Sequence, residues 1–444
     1  VHILAVSTYE LGHQPHHLAL ATAALTARGH TVQPIDLAVD QWRTTLLVDV
    51  DAIVVAVPMH TAMRLALDVV GSIRRERPQI PVAMFGLYAI EDMAPDGVAR
   101  FAGEFLEPLT EWADAIARDT HPVDLAAAVR TASPRTLIPL RDTLPGLDNY
   151  ARLSHEGDER TAGYVEASTG CRHRCRHCPV PVIYDGRVSI ADPDTVLADI
   201  TQQVEAGAAH ITFGDPDFLN APVHSRRVVA AMHDRHPDVT FDATVKVEHI
   251  LDRPQIWAEF AAANCLFVVS AFEILNDDIL ARLDKGHSAA DIARAVDLLR
   301  DHGIEIRPSW LPFTPWTSIV DIVDVFRFIA SNDLIPNTDP VQLAIRLLIP
   351  KGSLLAGSDD ASDWLGDFDA DRLSYTWVSS DAAVDDLQRR LHVLAESHNH
   401  DDPVATFQRM WNEVAARADI DPESITIPAG AALARPRLME NWFC

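Results

Sequence analysis

The chain has 444 residues, 48% of them hydrophobic, with 28 prolines and 19 glycines; this is a globular composition, too long for one core, and two or three domains are expected. A formal net charge of -27 argues against nucleic acid as the main partner, because a phosphate backbone is neutralised by clustered Lys and Arg. No apolar run reaches the roughly 18 residues of a membrane span, and five unevenly clustered cysteines make no disulfide framework, so a reducing cytoplasm is expected.

Residues 1–118 read as an α/β domain. Its start, Val1-His-Ile-Leu-Ala-Val6, reads as a first strand, not a signal peptide. Strands are expected at 1–6, 32–36, 51–58 and 81–85, and helices at 16–28, 65–75 and 105–117. Continuous apolar strands alternating with helices predict a doubly wound, Rossmann-like parallel sheet. Ligands of such sheets lie beyond the carboxyl ends of the strands, in the loops 7–17, 59–63 and 86–90. Residues 119–160, rich in proline and charge, read as a linker. Residues 161–350 repeat a strand–helix unit, with strands at 163–168, 210–213, 239–244, 266–270, 304–308 and 341–347. Six strands with helical crossovers predict a partial (β/α)6 barrel of TIM type, with functional groups at the carboxyl ends of its strands. Residues 351–444 read as a mostly helical region ending in Trp442-Phe-Cys444.

The first expected barrel strand leads into Ser168-Thr-Gly-Cys-Arg-His-Arg-Cys-Arg-His-Cys-Pro179. Cys171, Cys175 and Cys178 stand there in a C-x3-C-x2-C pattern, three of the five cysteines within eight residues. Three thiolates in one loop suit a [4Fe–4S] cluster with one iron left open to a chelating ligand. Zinc is the alternative, with His173 or His177 as fourth ligand; a dithiol redox pair leaves Cys171 unexplained. Cys265 reads as a small buried hydrophobe. The chain has only three lysines, Lys246, Lys285 and Lys351, against 34 arginines, so a retained Lys marks a place for a compact charge.

This pattern, placed after the first strand of such a barrel, resembles the radical S-adenosylmethionine (SAM) enzymes over residues 160–350. The resemblance implies a [4Fe–4S] cluster on Cys171, Cys175 and Cys178, SAM as cofactor, and a flavodoxin- or ferredoxin-type electron donor. It implies SAM contacts from His177, from the turn Gly214-Asp215-Pro-Asp217, from Ser270 and Glu273 in Ser-Ala-Phe-Glu, from Lys285 in a Lys-Gly turn, and from Arg346 near the sixth strand. Glu273 and Lys246 are further implied as catalytic groups, with Glu248 and Lys351 as neighbouring charges. Residues 304–310 lack the family's frequent Gly-x-Ile-x-Gly pattern.

The domain order resembles the cobalamin-binding subgroup of that family, as does the Gly103-Glu104 turn, and it implies cobalamin as a further candidate cofactor. The D-x-H-x-x-G motif of a lower cobalt ligand is absent; His13, His16 and His17 occupy that loop. The end of the chain is similar to the CUAEP/CCAEP-tail radical SAM proteins, with Cys444 in the catalytic role. A soft acceptor such as arsenic or selenium suits thiolates. The leading expectation is an enzyme, a transferase, that cleaves SAM reductively and passes a carbon group or radical to a small-molecule acceptor, such as a metalloid. A cobalamin-dependent methyltransferase and a non-catalytic iron–sulfur sensor are the alternatives. No membrane partner is expected.

Overall fold

The computed structural model describes residues 1–90, 93–120, 135–397, 402–428 and 435–439. The amino-terminal part is built from β1 (His2–Ser7), α1 (His16–Ala27), β2 (Thr31–Asp36), β3 (Ala52–Ala56), α2 (His60–Glu76), β4 (Val82–Phe85), β5 (Ala99–Phe101) and α3 (Leu106–Ala117). The strands form one parallel sheet in the order β2-β1-β3-β4-β5. Alternation along β1 explains why both faces are apolar: Leu4 and Val6 join the core under α2, while Ile3 and Ala5 pack with Leu18, Trp112 and Phe105 under α1 and α3. The short β5 is an addition to the sequence expectation.

The second sheet begins inside the stretch expected as linker. β6 (Arg152–His155) pairs antiparallel with β7 (Asp158–Val165). After β8 (Ser168–Gly170) come the cysteine loop, α4 (Val180–Tyr184) and β9 (Val188–Ile190), which pairs back on β8. Then follow α5 (Pro193–Glu205), β10 (His210–Phe213), α6 (Pro222–Arg235), β11 (Thr240–Thr244), α7 (Val247–Asp252), α8 (Pro254–Ala262), β12 (Cys265–Glu273), α9 (Asp277–Arg282), α10 (Ala289–Asp301), β13 (Glu305–Trp310) and α11 (Ile319–Ser331). The parallel strands run β7-β10-β11-β12-β13, a curled half-barrel. Its core is aromatic, with Phe213 stacked on Phe218 and edge-on to Phe241.

The expected sixth barrel strand is corrected. Pro340–Ala344 is a 3-10 helix, and only a single bridge joins Phe313 to Arg346. The reason lies at the edge of the sheet. The Gln342 side chain takes the backbone N–H of Trp310 at 3.1 Å, so the free edge of β13 is already occupied where a ladder would begin.

Beyond the barrel lie the hairpin β14 (Leu365–Asp369) and β15 (Ser374–Trp377), the helices α12 (Ala382–Ser397) and α13 (Pro403–Ala418), and β16 (Arg437–Met439). Leu373, at the hairpin turn, enters the amino-terminal core. α13 packs on α11 through Phe407 against Phe326, with ring centroids 5.1 Å apart. β16 pairs antiparallel with β6 and so completes a seven-stranded sheet. No helix among the described residues is long and apolar enough to cross a membrane.

Arg141 is one of the buried side chains that tie the two sheets together. Arg141 donates to both carboxylate oxygens of Asp199 at 3.0 and 2.9 Å, to the Gln14 carbonyl at 3.1 Å and to the Tyr164 carbonyl at 2.8 Å. Its Nη2 also stands 3.0 Å from His16 Nδ1. Arginine can only donate, so at this contact Nδ1 of His16 shares an N–H of Nη2 with the Asp199 and Tyr164 oxygens.

Candidate active site around the cysteine loop

The three cysteines occupy the loop between β8 and α4, at the carboxyl end of the half-barrel. Gly170 must precede Cys171: its φ is +80°, and a Cβ there would lie 2.3 Å from the Arg187 carbonyl oxygen. Asn220 holds the start of the loop, its Oδ1 accepting from the Arg172 N–H at 3.1 Å with the Cys171 sulfur 3.8 Å away. Cys178 N–H closes back on the Cys175 carbonyl at 3.1 Å. All three thiols are free, and Cys171 and Cys175 are buried. Burial, with the charges of Cys175 and Cys171, pushes the Cys178 thiol up to about 12. Three thiolates crowded together repel one another unless a cation sits among them, which is the donor chemistry of a metal cluster. Arg172, Arg174 and Arg176 are exposed around the loop.

Behind the loop lies a buried charge pair. Glu273 Oε1 receives Lys285 Nζ at 2.8 Å and faces His177 Nε2 at 3.0 Å. Burial alone would raise the Glu273 pKa, but Lys285 and then His177 hold it well below the carboxylate range. Burial alone would lower Lys285, yet Glu273 and the neighbouring cysteines keep it raised. Glu273 adopts φ +64° at a register shift in the β12–β13 ladder, a left-handed backbone rare for a long side chain. The loop is further tied to this side by Arg176 N–H on the Leu283 carbonyl at 2.9 Å.

The turn after β10 supports the loop from the other side. Gly214 lies under the Tyr164 ring, where a Cβ would come within 2.0 Å of ring atoms. Asp215 is buried and accepts from Ala167 N–H at 3.0 Å and from the Ser168 hydroxyl, so it braces β8. Burial raises its pKa to about 7. Asp217 accepts from Leu219 N–H at 3.1 Å and faces His249. Buried polar atoms left without a partner among the described residues include Asn220 Nδ2, His177 Nδ1 and Ser270 Oγ. Buried polar groups are otherwise paired, so these atoms fit a polar ligand beside the loop.

The carboxyl edge of the amino-terminal sheet faces the same region. Leu87, Tyr88 and Ile90, beyond β4, line a small cleft, open to solvent, with His177, Cys178 and Lys351. Glu104, beyond β5, accepts from the Thr169 hydroxyl at 2.8 Å. Glu10 and Glu166 flank His17 Nδ1 at 2.8 and 4.0 Å. Burial alone would lower His17, but these two carboxylates raise it to about 9. His13 stacks on Tyr164 at 4.7 Å.

The structure therefore gathers Cys171, Cys175, Cys178, His177, Glu273 and Lys285 into one constellation, with Gly214, Asp215 and Asp217 on its flank. Lys246 turns to Glu248 at 3.5 Å. Lys351 sits over the Phe368 ring, 4.8 Å from its centroid. Arg346 is drawn away: it pairs with Asp385, donates to the Trp377 carbonyl and stacks on that ring at 3.5 Å, because the strand expected to carry it toward the site does not form. Cys444 lies outside the described residues. Glu10, Tyr164 and Glu166 were not singled out by sequence reasoning. Their signal was Glu166 itself, a charge at the end of the strand Gly163-Tyr-Val-Glu166.

Residues 165–324 match the Radical SAM superfamily. The hopanoid C-2 methylase of Rhodopseudomonas palustris (strain TIE-1) is 20% identical over 149 residues, which span 32% of this chain and only 28% of that protein. Among solved structures, the cobalamin-dependent SAM radical enzyme OxsB with aqua-cobalamin bound aligns with a TM-score of 0.67 at 12% identity, over 97% of this chain and 82% of that one. The radical SAM methyltransferase TsrM from Kitasatospora setae aligns with a TM-score of 0.58 at 18% identity, over 73% and 70%. At these identities the likeness is one of fold.

Proposed function

We propose that this chain, an enzyme carrying a radical SAM domain with its [4Fe–4S] cluster and SAM, transfers a SAM-derived carbon group to a small-molecule acceptor held in the cleft between its two sheets. The observation that carries this reading is the meeting of that cleft with the cysteine loop. When bound, the cluster supplies the electron that splits a sulfonium C–S bond of SAM. Cys171, Cys175 and Cys178 would hold three irons. His177, Asn220 and Ser270 offer the unpaired polar atoms that would orient SAM, and the buried Lys285 balances thiolate charge. Leu87, Tyr88, Ile90 and Val182 line the cleft and would keep water from the reacting carbon. The exposed arginines 172, 174 and 176 suit an acidic flavodoxin- or ferredoxin-type electron donor.

A second reading places cobalamin in the same cleft as carrier of a methyl group. The likeness of fold to OxsB with aqua-cobalamin bound favours it. His16 and His17 would not serve it as a lower ligand, since their imidazoles are engaged by Arg141 and Glu10. A soft metalloid acceptor met by Cys444 is the finer form of the first reading.

Incubation of the reconstituted protein with SAM and dithionite tests the proposal. SAM fragments should accumulate, and their masses identify the bond broken. Cys175→Ala should lose the cluster absorbance near ~400 nm and all cleavage. Retained iron and turnover in that variant would refute the cluster assignment, and absence of any SAM cleavage in the intact protein would refute the reaction. An unchanged spectrum on titration with hydroxocobalamin would remove the second reading.

A further inference from the structure

Beside the cysteine loop, three side chains from three different elements point at one spot. His173 comes from the loop, Asp217 from the turn after β10, and His249 from α7. His173 Nε2 and His249 Nε2 stand 3.3 Å apart, and His173 Nε2 is 3.6 Å from Asp217 Oδ2. One ligand atom from each residue lies within 4.8 Å of the others. Asp217 is fully buried, and its Oδ1 is already spent on Leu219 N–H. Its Oδ2 lies 2.7 Å from His249 Nδ1, yet neither atom makes an aligned hydrogen bond. A buried carboxylate oxygen without a hydrogen bond is costly unless a cation meets it.

From this convergence we infer a second metal site, for one divalent ion that prefers nitrogen and oxygen ligands, such as zinc or iron(II). Nitrogen and oxygen ligands on a tetrahedral ion at about 2.0–2.2 Å lie roughly 3.4 Å from each other; with His249 bound through Nε2, the observed 3.3 and 3.6 Å separations match that span, while the 2.7 Å between Asp217 Oδ2 and His249 Nδ1 leaves that second nitrogen outside the ligand set. Glu248 Oε2 lies 3.5 Å from His173 Nδ1, on the far side of the ring. A carboxylate on that side, though at 3.5 Å not hydrogen-bonded to the ring, favours the tautomer with its proton on Nδ1 and Nε2 turned to a metal. Two imidazoles and one carboxylate leave a coordination position open. The ion would fasten the loop to α7 and add positive charge beside the thiolates without using any of them.

The cluster-reconstituted protein, incubated with zinc and then desalted, supplies the test. Iron, sulfide and zinc are counted together. The expected result is about one zinc per chain above an unchanged iron content, with an X-ray absorption edge showing nitrogen and oxygen neighbours and no sulfur. His249→Ala should lose that zinc and keep its cluster iron; Glu248→Gln should weaken retention roughly tenfold. Zinc that rises as iron falls, or sulfur around the zinc, would overturn the inference, since the thiolates would then be the ligands. So would equal zinc in His249→Ala and the parent. Asp217→Asn, which keeps its Oδ1 contact to Leu219, adds an independent arm: loss of SAM affinity with zinc retained would assign Asp217 to SAM instead. Failure of SAM cleavage with zinc retained would count against the proposed reaction alone.

Discussion

Glu273 shows how much a single side chain carries here. It is buried and shared between Lys285 and His177. Neutralising it strands a buried ammonium, which costs on the order of 3–5 kcal/mol. Glu273→Gln should therefore unfold at markedly lower urea and hold its cluster poorly. The double variant Glu273→Gln/Lys285→Met should recover most of the stability but not SAM cleavage; recovery of both would reduce the pair to scaffold. His17 gives a pH signature. Its pKa is raised from 6.5 to about 9 between Glu10 and Glu166, so its contribution is complete below pH 6.5 and fades as the pH climbs through about 9. The melting temperature should fall across that window, by at most on the order of 3 kcal/mol in stability. His17→Gln should flatten the fall, and an equal slope in the variant would refute the assignment.

Among the elements, the helices were legible from sequence by their apolar periodicity, and the structure shows what fixes two of their starts. Ser288 and Ser318 each cap a helix and are answered by Asp291 and Asp321 in full capping boxes. The parallel strands were legible from continuous apolar runs. The sixth strand misled because Val341-Gln-Leu-Ala-Ile-Arg-Leu alternates like a strand, whereas Gln342 spends its side chain on the β13 edge, a contact between distant segments that no local pattern reveals. For the same reason the cysteines stood out by spacing, while the meeting of Glu10 with Glu166, or of Asp217 with His249, depended on how elements dock. Arg141 is a central buried contact in that docking. Arg141→Met leaves the buried Asp199 carboxylate without its cation and should cost about 3–5 kcal/mol. Chemical denaturation should show the two sheets coming apart before full unfolding, and a single unchanged transition at the parent midpoint would sink this view.

For the whole molecule, charge is distributed against its average. A chain of net charge -27 presents three exposed arginines around the loop that holds the cysteines. An acidic electron carrier would be repelled by most of the surface and drawn to this patch. Arg172→Glu/Arg176→Glu should slow cluster reduction by a flavodoxin by about ten- to a hundred-fold at low salt, with reduction by dithionite unaffected. Equal rates for the carrier in both proteins would exclude the patch as its landing point. The edge of the sheet has its own polarity. β16 is antiparallel to β6, and β6 to β7, so β16 advances in the same sense as β7, toward the reaction mouth. β1 lies in a sheet whose strands also end at that mouth, so Val1 sits at the opposite rim. A fusion partner or affinity handle attached ahead of Val1 is thus carried away from the chemistry.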